Sequence, residues 1–108
     1  MPYYDTVTSV LEKRLQVGAS AWVVLRYGST NAKGRKYIGV FNRSPYKIFI
    51  TTDNTDTAAA SLTTNPAATR AIRAGGERIF PYSDRVTLYG RCAVSGSSAT
   101  IIVTEEVG

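Results

Sequence analysis

The amino-acid sequence predicts an all-β domain, a single antiparallel β-sandwich of about eight strands with a jelly-roll-like arrangement. Short segments rich in β-branched and aromatic residues recur along the chain, and breaks rich in Gly, Pro, Asn and Ser separate them. No segment repeats its apolar residues at helical spacing over about three turns. With 108 residues, 44% of them hydrophobic, the chain is long enough to bury a core without metals or disulfides.

The predicted strands follow one another in chain order, with a turn signal at each break. In that order they are residues 11–17, 21–28, 35–42, 47–52, 69–74, 77–80, 85–94 and 99–105. The breaks contain the residues that turns require, since Gly supplies positive φ and Asn, Ser and Pro favour reversals. They are Gly18, STNAKG at 29–34, Gly75-Gly76, residues 81–84 and residues 95–97.

The run RKYIGVFNRSPYKIFITTD, residues 35–53, predicts a β-hairpin in the middle of the domain. The connecting stretch NRSPY is polar and its proline fixes φ, so we expect the chain to reverse there. Along the first strand Ile38 and Val40 point to one face, while Tyr37 and Phe41 point to the other. Because both faces carry bulk, the strand is expected to be covered on both sides or buried at an interface.

Residues 52–68, TDNTDTAAASLTTNPAA, predict an exposed loop. A connection of this length without aromatic residues is typical of functional or mobile loops, and its Thr and Asn residues disfavour a stable helix. Asp53 and Asp56 lack the alternating acidic positions and the glycine of a calcium-binding loop. We therefore interpret these two residues as formers of Asx turns.

The chain divides into an N-terminal arm, residues 1–10, and a β-sandwich domain, residues 11–108. The arm carries Pro2, Tyr3 and Tyr4, and terminal tyrosines either fray or dock on a partner, where amphipathic rings bind well. The opening MPYYDTVTSV has no charged region followed by an apolar stretch, so we expect no secretory signal. No apolar run of about 18 residues occurs, so no membrane partner is expected.

The residue types that carry most enzyme chemistry are scarce. The chain has no histidine and one cysteine, Cys92, which we expect to be a buried packing residue because no histidine can activate it. Glu105 and Glu106 are expected to end a strand in solvent and not to form an acid–base pair. The sequence therefore predicts no enzyme, no catalytic residue, no metal site and no cofactor.

The charge balance permits an anionic partner but does not require one. Thirteen Lys and Arg against eight Asp and Glu give a net charge of +5, without any run of five like charges. Aromatic residues interleaved with arginine, as in RKYIGVFNR, also occur in oligonucleotide-binding barrels. Tyr37, Phe41 and Phe49 lie in the most apolar strands, so we expect them in the core, and nucleic acid is not the expected partner.

Two stretches of the sequence resemble small β-sandwich virion proteins of tailed bacteriophages. They are GRKYIGVFNRSPYKIFI, which precedes the Thr/Ala-rich loop, and AIRAGGERIFPYSDRVTLYGRCAVSGSSATIIVTEE. The first joins two strands through an Asn and a short polar hinge, and the second runs from a glycine-marked strand to a C-terminal IIVTE. The resemblance covers residues 15–106 as an order of elements, and it includes no active-site signature.

This resemblance implies a non-enzymatic structural protein, above all a capsid decoration or cement protein that binds the major capsid protein and stabilises the head. It also implies self-association, with a trimer favoured, and location on the capsid surface of the virion after synthesis in the host cytoplasm. The alternatives are a neck, tail or head-fibre accessory protein and a small basic single-stranded nucleic-acid-binding β-barrel. The residues predicted to bind partners are Pro2, Tyr3, Tyr4, Arg35, Lys36, Arg43 and Tyr46.

Overall fold

The computed structural model describes residues 9–52 and 69–108, with side chains described from residue 71 onward in the second range. Within these residues the chain forms two four-stranded antiparallel sheets. The strands are β1 (Ser9–Gly18), β2 (Val23–Val24), β3 (Arg35–Asn42), β4 (Ile48–Thr51), β5 (Thr69–Ile72), β6 (Glu77–Phe80), β7 (Tyr89–Cys92) and β8 (Ser98–Val107). The predicted all-β sandwich of eight strands is confirmed.

The order of the strands is that of a jelly roll. The first sheet runs β1-β8-β3-β6 and the second runs β2-β7-β4-β5. Strands therefore pair from the outside of the chain inward, β1 with β8, β2 with β7, β3 with β6 and β4 with β5, as in one long hairpin rolled up on itself. Two further pairings, β3 with β8 and β4 with β7, join these ribbons into the two sheets.

The core lies between the inner faces of the two sheets. Alternation along β3 and β8 directs every second side chain inward, as the period of a half-buried strand requires. Gly90 on β7 allows close approach, because a Cβ there would lie 3.1 Å from the Cδ atoms of Leu25. The buried apolar residues are Val17, Leu25, Ile38, Val40, Ile48, Ile50, Ile72, Phe80, Leu88, Cys92, Ala99, Ile101 and Val103.

The predicted strand positions agree with the structure at all eight places, but four strands are shorter than predicted, β4 and β5 by two residues each and β2 and β7 by six each. Residues 21–28 contribute only Val23–Val24 to a ladder, and residues 85–94 contribute only Tyr89–Cys92. One backbone hydrogen bond, from Leu25 N to Leu88 O (2.8 Å), extends the pairing of β2 with β7. Beyond it the two segments leave the sheet. β1 begins at Ser9, so it includes the last two residues of the predicted arm. The predicted loop covers residues 52–68, of which Thr52 is exposed and residues 53–68 lie outside the described residues.

The predicted hairpin over residues 35–53 is wrong. β3 belongs to the first sheet and β4 to the second, so residues 43–47 carry the chain from one sheet to the other. The buried side chain of Asn42 holds this turn by hydrogen bonds to backbone carbonyl groups, which replaces the ladder of a hairpin. The two strands share apolar inner faces because they cover each other across the core.

The prediction that Tyr37, Phe41 and Phe49 lie in the core is also wrong. All three are half-buried. Pairing places Ile38 and Val40 on the inner face of β3, which leaves Tyr37 and Phe41 on the outer face. On β4 the side chains of Ile48 and Ile50 point into the core, so the side chain of Phe49 between them points outward. Cys92, by contrast, is buried at 2% exposure, as predicted.

Arg35, Glu105 and Glu106 are buried, although the sequence predicts all three at the surface. Arg35 and Glu105 form an ion pair, with 2.8 Å between Nη1 and Oε2 and no exposed side-chain surface on either residue. The predicted solvated strand end at Glu105 and Glu106 is therefore corrected. Pairing of β8 between β1 and β3 explains the burial, because it makes the last residues of the chain part of a central strand.

Candidate functional site

The turn between β3 and β4 is built around the side chain of Asn42, which is fully buried. Its amide nitrogen lies within hydrogen-bonding distance of the carbonyl oxygens of Tyr46 (2.6 Å), Ile72 (3.2 Å) and Arg73 (3.1 Å). Its Oδ1 accepts hydrogen bonds from the backbone N–H (3.1 Å) and the hydroxyl group (2.6 Å) of Ser44. One side chain therefore satisfies polar groups of two connections that are distant in sequence.

Backbone hydrogen bonds attach the same turn to its neighbours. Asn42 N donates to Gly76 O (2.8 Å), and Gly75 N donates to Asn42 O (2.9 Å). Arg43 N donates to Thr100 O (3.0 Å) on β8. Gly75 has a φ of 74°, which a residue with a side chain rarely adopts, so the sequence Gly75-Gly76 suits this tight contact. The two turns are consequently held side by side at one end of the sandwich.

Exposed cationic residues lie on or beside these two turns, at one end of the sandwich. Arg43, Lys47 and Arg73 are exposed there, and we call this surface the basic corner. Arg73 also lines an open groove of about 210 Å³ between β5 and β6, together with Arg78 and Glu77. Tyr46 is half-buried at the basic corner and packs against the hydrophobic core. The positive charges can attract anionic groups, and the two turns that carry them are already held in place by the hydrogen bonds of Asn42.

The residues that the sequence predicts to bind partners do not form one site. Arg43 and Tyr46 lie at the basic corner, while Lys36 is exposed at the opposite end of β3, about 23 Å away at 3.3 Å per residue. Arg35 is not available to a partner because it is buried. Pro2, Tyr3 and Tyr4 lie outside the described residues, and they precede Ser9, which pairs with Val107 at the Lys36 end.

Sequence reasoning missed Arg73 and Lys47 as members of this surface. The Gly75-Gly76 pair signals a turn beside Arg73, but nothing in the sequence brings that turn to Asn42. The contact depends on the crossing between the two sheets, which the predicted hairpin left out. Asn42 was itself the available signal, because a buried Asn that follows an apolar strand often satisfies backbone groups of an adjoining turn.

A second surface combines aromatic rings with cations on the outer face of the second sheet. The Arg91 guanidinium lies 5.9 Å from the centre of the Trp22 ring, and its Nε donates to Ala19 O (2.6 Å). The Lys47 ammonium lies 5.5 Å from the centre of the Phe49 ring. Such contacts hold cations against aromatic faces, and the surface could stack planar groups.

Residues 9–52 and 69–108 contain no group of three or more His, Cys, Asp and Glu side chains that could hold a metal ion. In the same residues no helix is long and apolar enough to cross a membrane.

Comparison with known proteins shows no family. No protein-family model matches the chain, and no curated protein matches it. A crystal structure of a Neisseria meningitidis protein is 13% identical, with a TM-score of 0.46, and the match covers 90% of this chain and 73% of that one. A chain from Bacillus endospore appendages, described as a novel family of disulfide-linked pili, is 9% identical, with a TM-score of 0.40 and coverage of 93% and 90%. Neither likeness indicates a function.

Proposed function

We propose that this chain is a structural protein of a tailed-bacteriophage virion, and most specifically a decoration protein that binds the major capsid lattice and stabilises the head. The observation that carries the proposal is the basic corner, the end of the sandwich where Arg43, Lys47 and Arg73 are exposed on or beside two turns that Asn42 joins by hydrogen bonds. A decoration protein must recognise a repeated surface through a modest contact, and many copies make that contact effective.

Two further points support the proposal. The jelly roll is an architecture of viral capsid domains, although it also occurs in lectins and cupins, so this support is an analogy of fold. The sequence resemblance to phage virion proteins covers the residues that build the corner, from Asn42 to Tyr46. In this proposal the chain acts without catalysis, and it binds the major capsid protein and further copies of itself.

The first experiment measures copy number per particle, by quantitative mass spectrometry of virions purified from the source phage. On the order of hundreds of copies would support decoration, because the shell lattice alone offers so many equivalent positions. About a dozen copies or fewer would place the protein at the neck, the tail or the head fibres. Absence from purified particles would refute the virion role.

The second experiment tests the basic corner itself. We expect Arg43→Ala with Arg73→Ala to weaken binding to particles that lack the protein about tenfold or more, because cations at a contact with an acidic surface contribute to affinity and association rate. The matched control removes two exposed cations at the opposite end, Lys33→Ala with Arg85→Ala. Equal loss in the two double variants would mean that net charge, and not the basic corner, drives binding.

Single-stranded nucleic acid is a second candidate partner, favoured by the Trp22–Arg91 contact beside Lys47 and Phe49. Bases can stack on the aromatic rings of this surface, while Lys47, which is exposed, neutralises a phosphate group and the buried Arg91 orients the Trp22 ring. Binding of an oligonucleotide should then quench the fluorescence of Trp22, the single tryptophan, and weaken steeply as salt rises. If the protein binds particles and shows neither effect, the result supports a virion structural protein and not a nucleic-acid-binding protein.

A further inference from the structure

The outer face of the first sheet carries a row of four side chains with a distinctive order. Pairing aligns Glu77 on β6 with Phe41 on β3, Phe41 with Ile102 on β8, and Ile102 with Arg14 on β1. The row therefore reads acid, apolar, apolar, base from one edge of the sheet to the other. Phe41 and Ile102 are half-buried, while Glu77 and Arg14 are exposed. We call it the outer row.

More apolar surface surrounds the outer row. Ile79 on β6 is 50% exposed and Val10 on β1 is 55% exposed, and both point to this face. Tyr37 is half-buried on the same face of β3. Glu106 and Glu12 separate Val10 from the other apolar residues of this face, so the apolar surface proper is formed by the outer row with Tyr37 and Ile79. An apolar surface with charged residues around it is typical of a protein–protein contact.

Gly39 provides an independent indication that this face is covered. It lies at the centre of β3 on the outer face, opposite Ile79 and Thr104. A Cβ there would meet ordinary contacts only, with Ile79 Cγ1 at 3.7 Å and Thr104 Cβ at 3.9 Å, so the chain's own packing does not require glycine. Glycine within a strand weakens the strand and often marks close approach by another molecule.

We propose that a second copy of this chain packs face to face on the first sheet, about a two-fold axis that runs parallel to the strands. This rotation reverses the order of the strands, so β6 of one copy faces β1 of the other and β3 faces β8. Phe41 then packs on Ile102 of the second copy, and Glu77 meets Arg14 of the second copy. Each contact occurs twice, as a two-fold interface requires.

The charges decide the direction of the axis. The alternative two-fold axis lies in the plane of the sheet and perpendicular to the strands. It would place Glu77 over Glu77 and Arg14 over Arg14, and like charges repel. The chosen axis pairs opposite charges, and it keeps the strands of the two sheets within about 30° of each other, the usual geometry of aligned sheets. It also places Gly39 over Thr104 of the second copy, so the missing side chain leaves room for that methyl group.

The same rotation places Ile79 over Glu12 and Tyr37 over Glu106 of the second copy. Glu12 is on the edge strand, so its methylene groups can cover Ile79 while its carboxylate stays in water.

The experiment is a charge exchange followed by sedimentation equilibrium of the full chain at low salt. Glu77→Arg alone and Arg14→Glu alone should each weaken dimerisation about tenfold, because each converts two attractive contacts into two repulsive ones. The double variant should recover the original affinity. So should an equimolar mixture of the two single variants, since the mixed dimer contains only opposite-charge contacts.

Recovery of the dimerisation affinity in the double variant or in the mixture would show that Glu77 and Arg14 make contact between two molecules. Glu77 and Arg14 lie on opposite edges of one sheet, three strand spacings or about 14 Å apart, so they cannot pair within a chain. Gly39→Ala adds a second measurement: we expect a melting temperature that is unchanged or raised, together with weaker dimerisation. Circular dichroism checks that each variant folds.

Several outcomes would overturn the proposal. A wild-type chain that stays monomeric at about 100 μM would refute it, and so would a trimer, because a three-fold axis cannot produce this pairing. Equal affinity in the single variants and the wild type, or no recovery in the double variant and the mixture, would also refute it. The proposal does not rest on the virion role, since it concerns the purified chain alone.

Discussion

At the scale of single residues, the most consequential feature is the buried pair of Arg35 and Glu105. Arg35 donates from Nη1 to Glu105 and from Nε and Nη2 to the carbonyl oxygens of Tyr82 (3.1 Å) and Ser83 (2.8 Å). Glu105 in turn accepts from the backbone N–H groups of Tyr27 (2.6 Å) and Ala32 (2.9 Å). Two long connections are thus attached to the sheet by charges that have no contact with water.

The first prediction concerns this pair. Glu105→Gln keeps the shape of the side chain but leaves the guanidinium of Arg35 buried without a counter-charge, so we expect the free energy of unfolding to fall by about 3–5 kcal/mol. Urea denaturation measures it. The control, Glu12→Gln, changes an exposed carboxylate on β1 and should alter stability by less than about 0.5 kcal/mol. Similar effects of the two substitutions would show that the pair does not hold the connections.

At the scale of elements, strand positions were predictable and strand partners were not. β3 and β6 have the predicted bounds, because β-branched and aromatic residues end at clear turn signals there. The crossing at residues 43–47 was mistaken for a hairpin because alternation along a strand does not say which strand lies beside it. The basic corner was missed for the same reason, since the turn beside Arg73 lies next to the turn of Arg43 only because the chain crosses between the sheets there. Arg35 was misplaced because its carboxylate partner lies 70 positions away along the chain.

β1 is an edge strand in the described part of the chain, and Lys13 protects it. Lys13 is opposite Val103, so it belongs to the inward-pointing row that Leu15 and Val17 continue. It is nevertheless exposed, because no other described strand lies beside it. An inward-pointing charge on an edge strand opposes pairing with the edge of another molecule, since pairing would bury the charge.

The second prediction follows from that position. Lys13→Val should raise association at constant concentration, measured by dynamic light scattering, while the melting temperature stays equal or rises because the new side chain suits the inner row. Lys33→Val is the matched control, because it replaces another exposed lysine by the same side chain in a turn outside the strands. If the two variants associate equally, added surface hydrophobicity is the cause and the protective role of Lys13 is refuted.

At the scale of the whole molecule, the jelly roll separates two regions that the sequence treats as one site. The arm joins β1 at Ser9, beside Val107, and Arg43 of the basic corner is hydrogen-bonded to Thr100, near the other end of β8. Val107 and Thr100 are about 23 Å apart along β8 at 3.3 Å per residue. The outer row lies on the face of the first sheet and borders the basic corner, because Glu77 and Arg73 line the same groove. The arm therefore lies apart from the basic corner, whereas a second copy on the outer row would approach it.

The third prediction uses this separation to test the proposed attachment to particles. Deletion of Met1 to Asp5 and the double substitution at Arg43 and Arg73 should each weaken attachment. Because about 23 Å separates the two regions along β8, their free-energy losses should add within about 0.5 kcal/mol when both changes are combined. Particle-binding titrations of the four chains form the double-mutant cycle.

A combined loss well below the sum would mean that the arm reaches the basic corner and that the two regions bind as one. No loss on truncation would restrict attachment to the basic corner, and the arm would then have no part in binding.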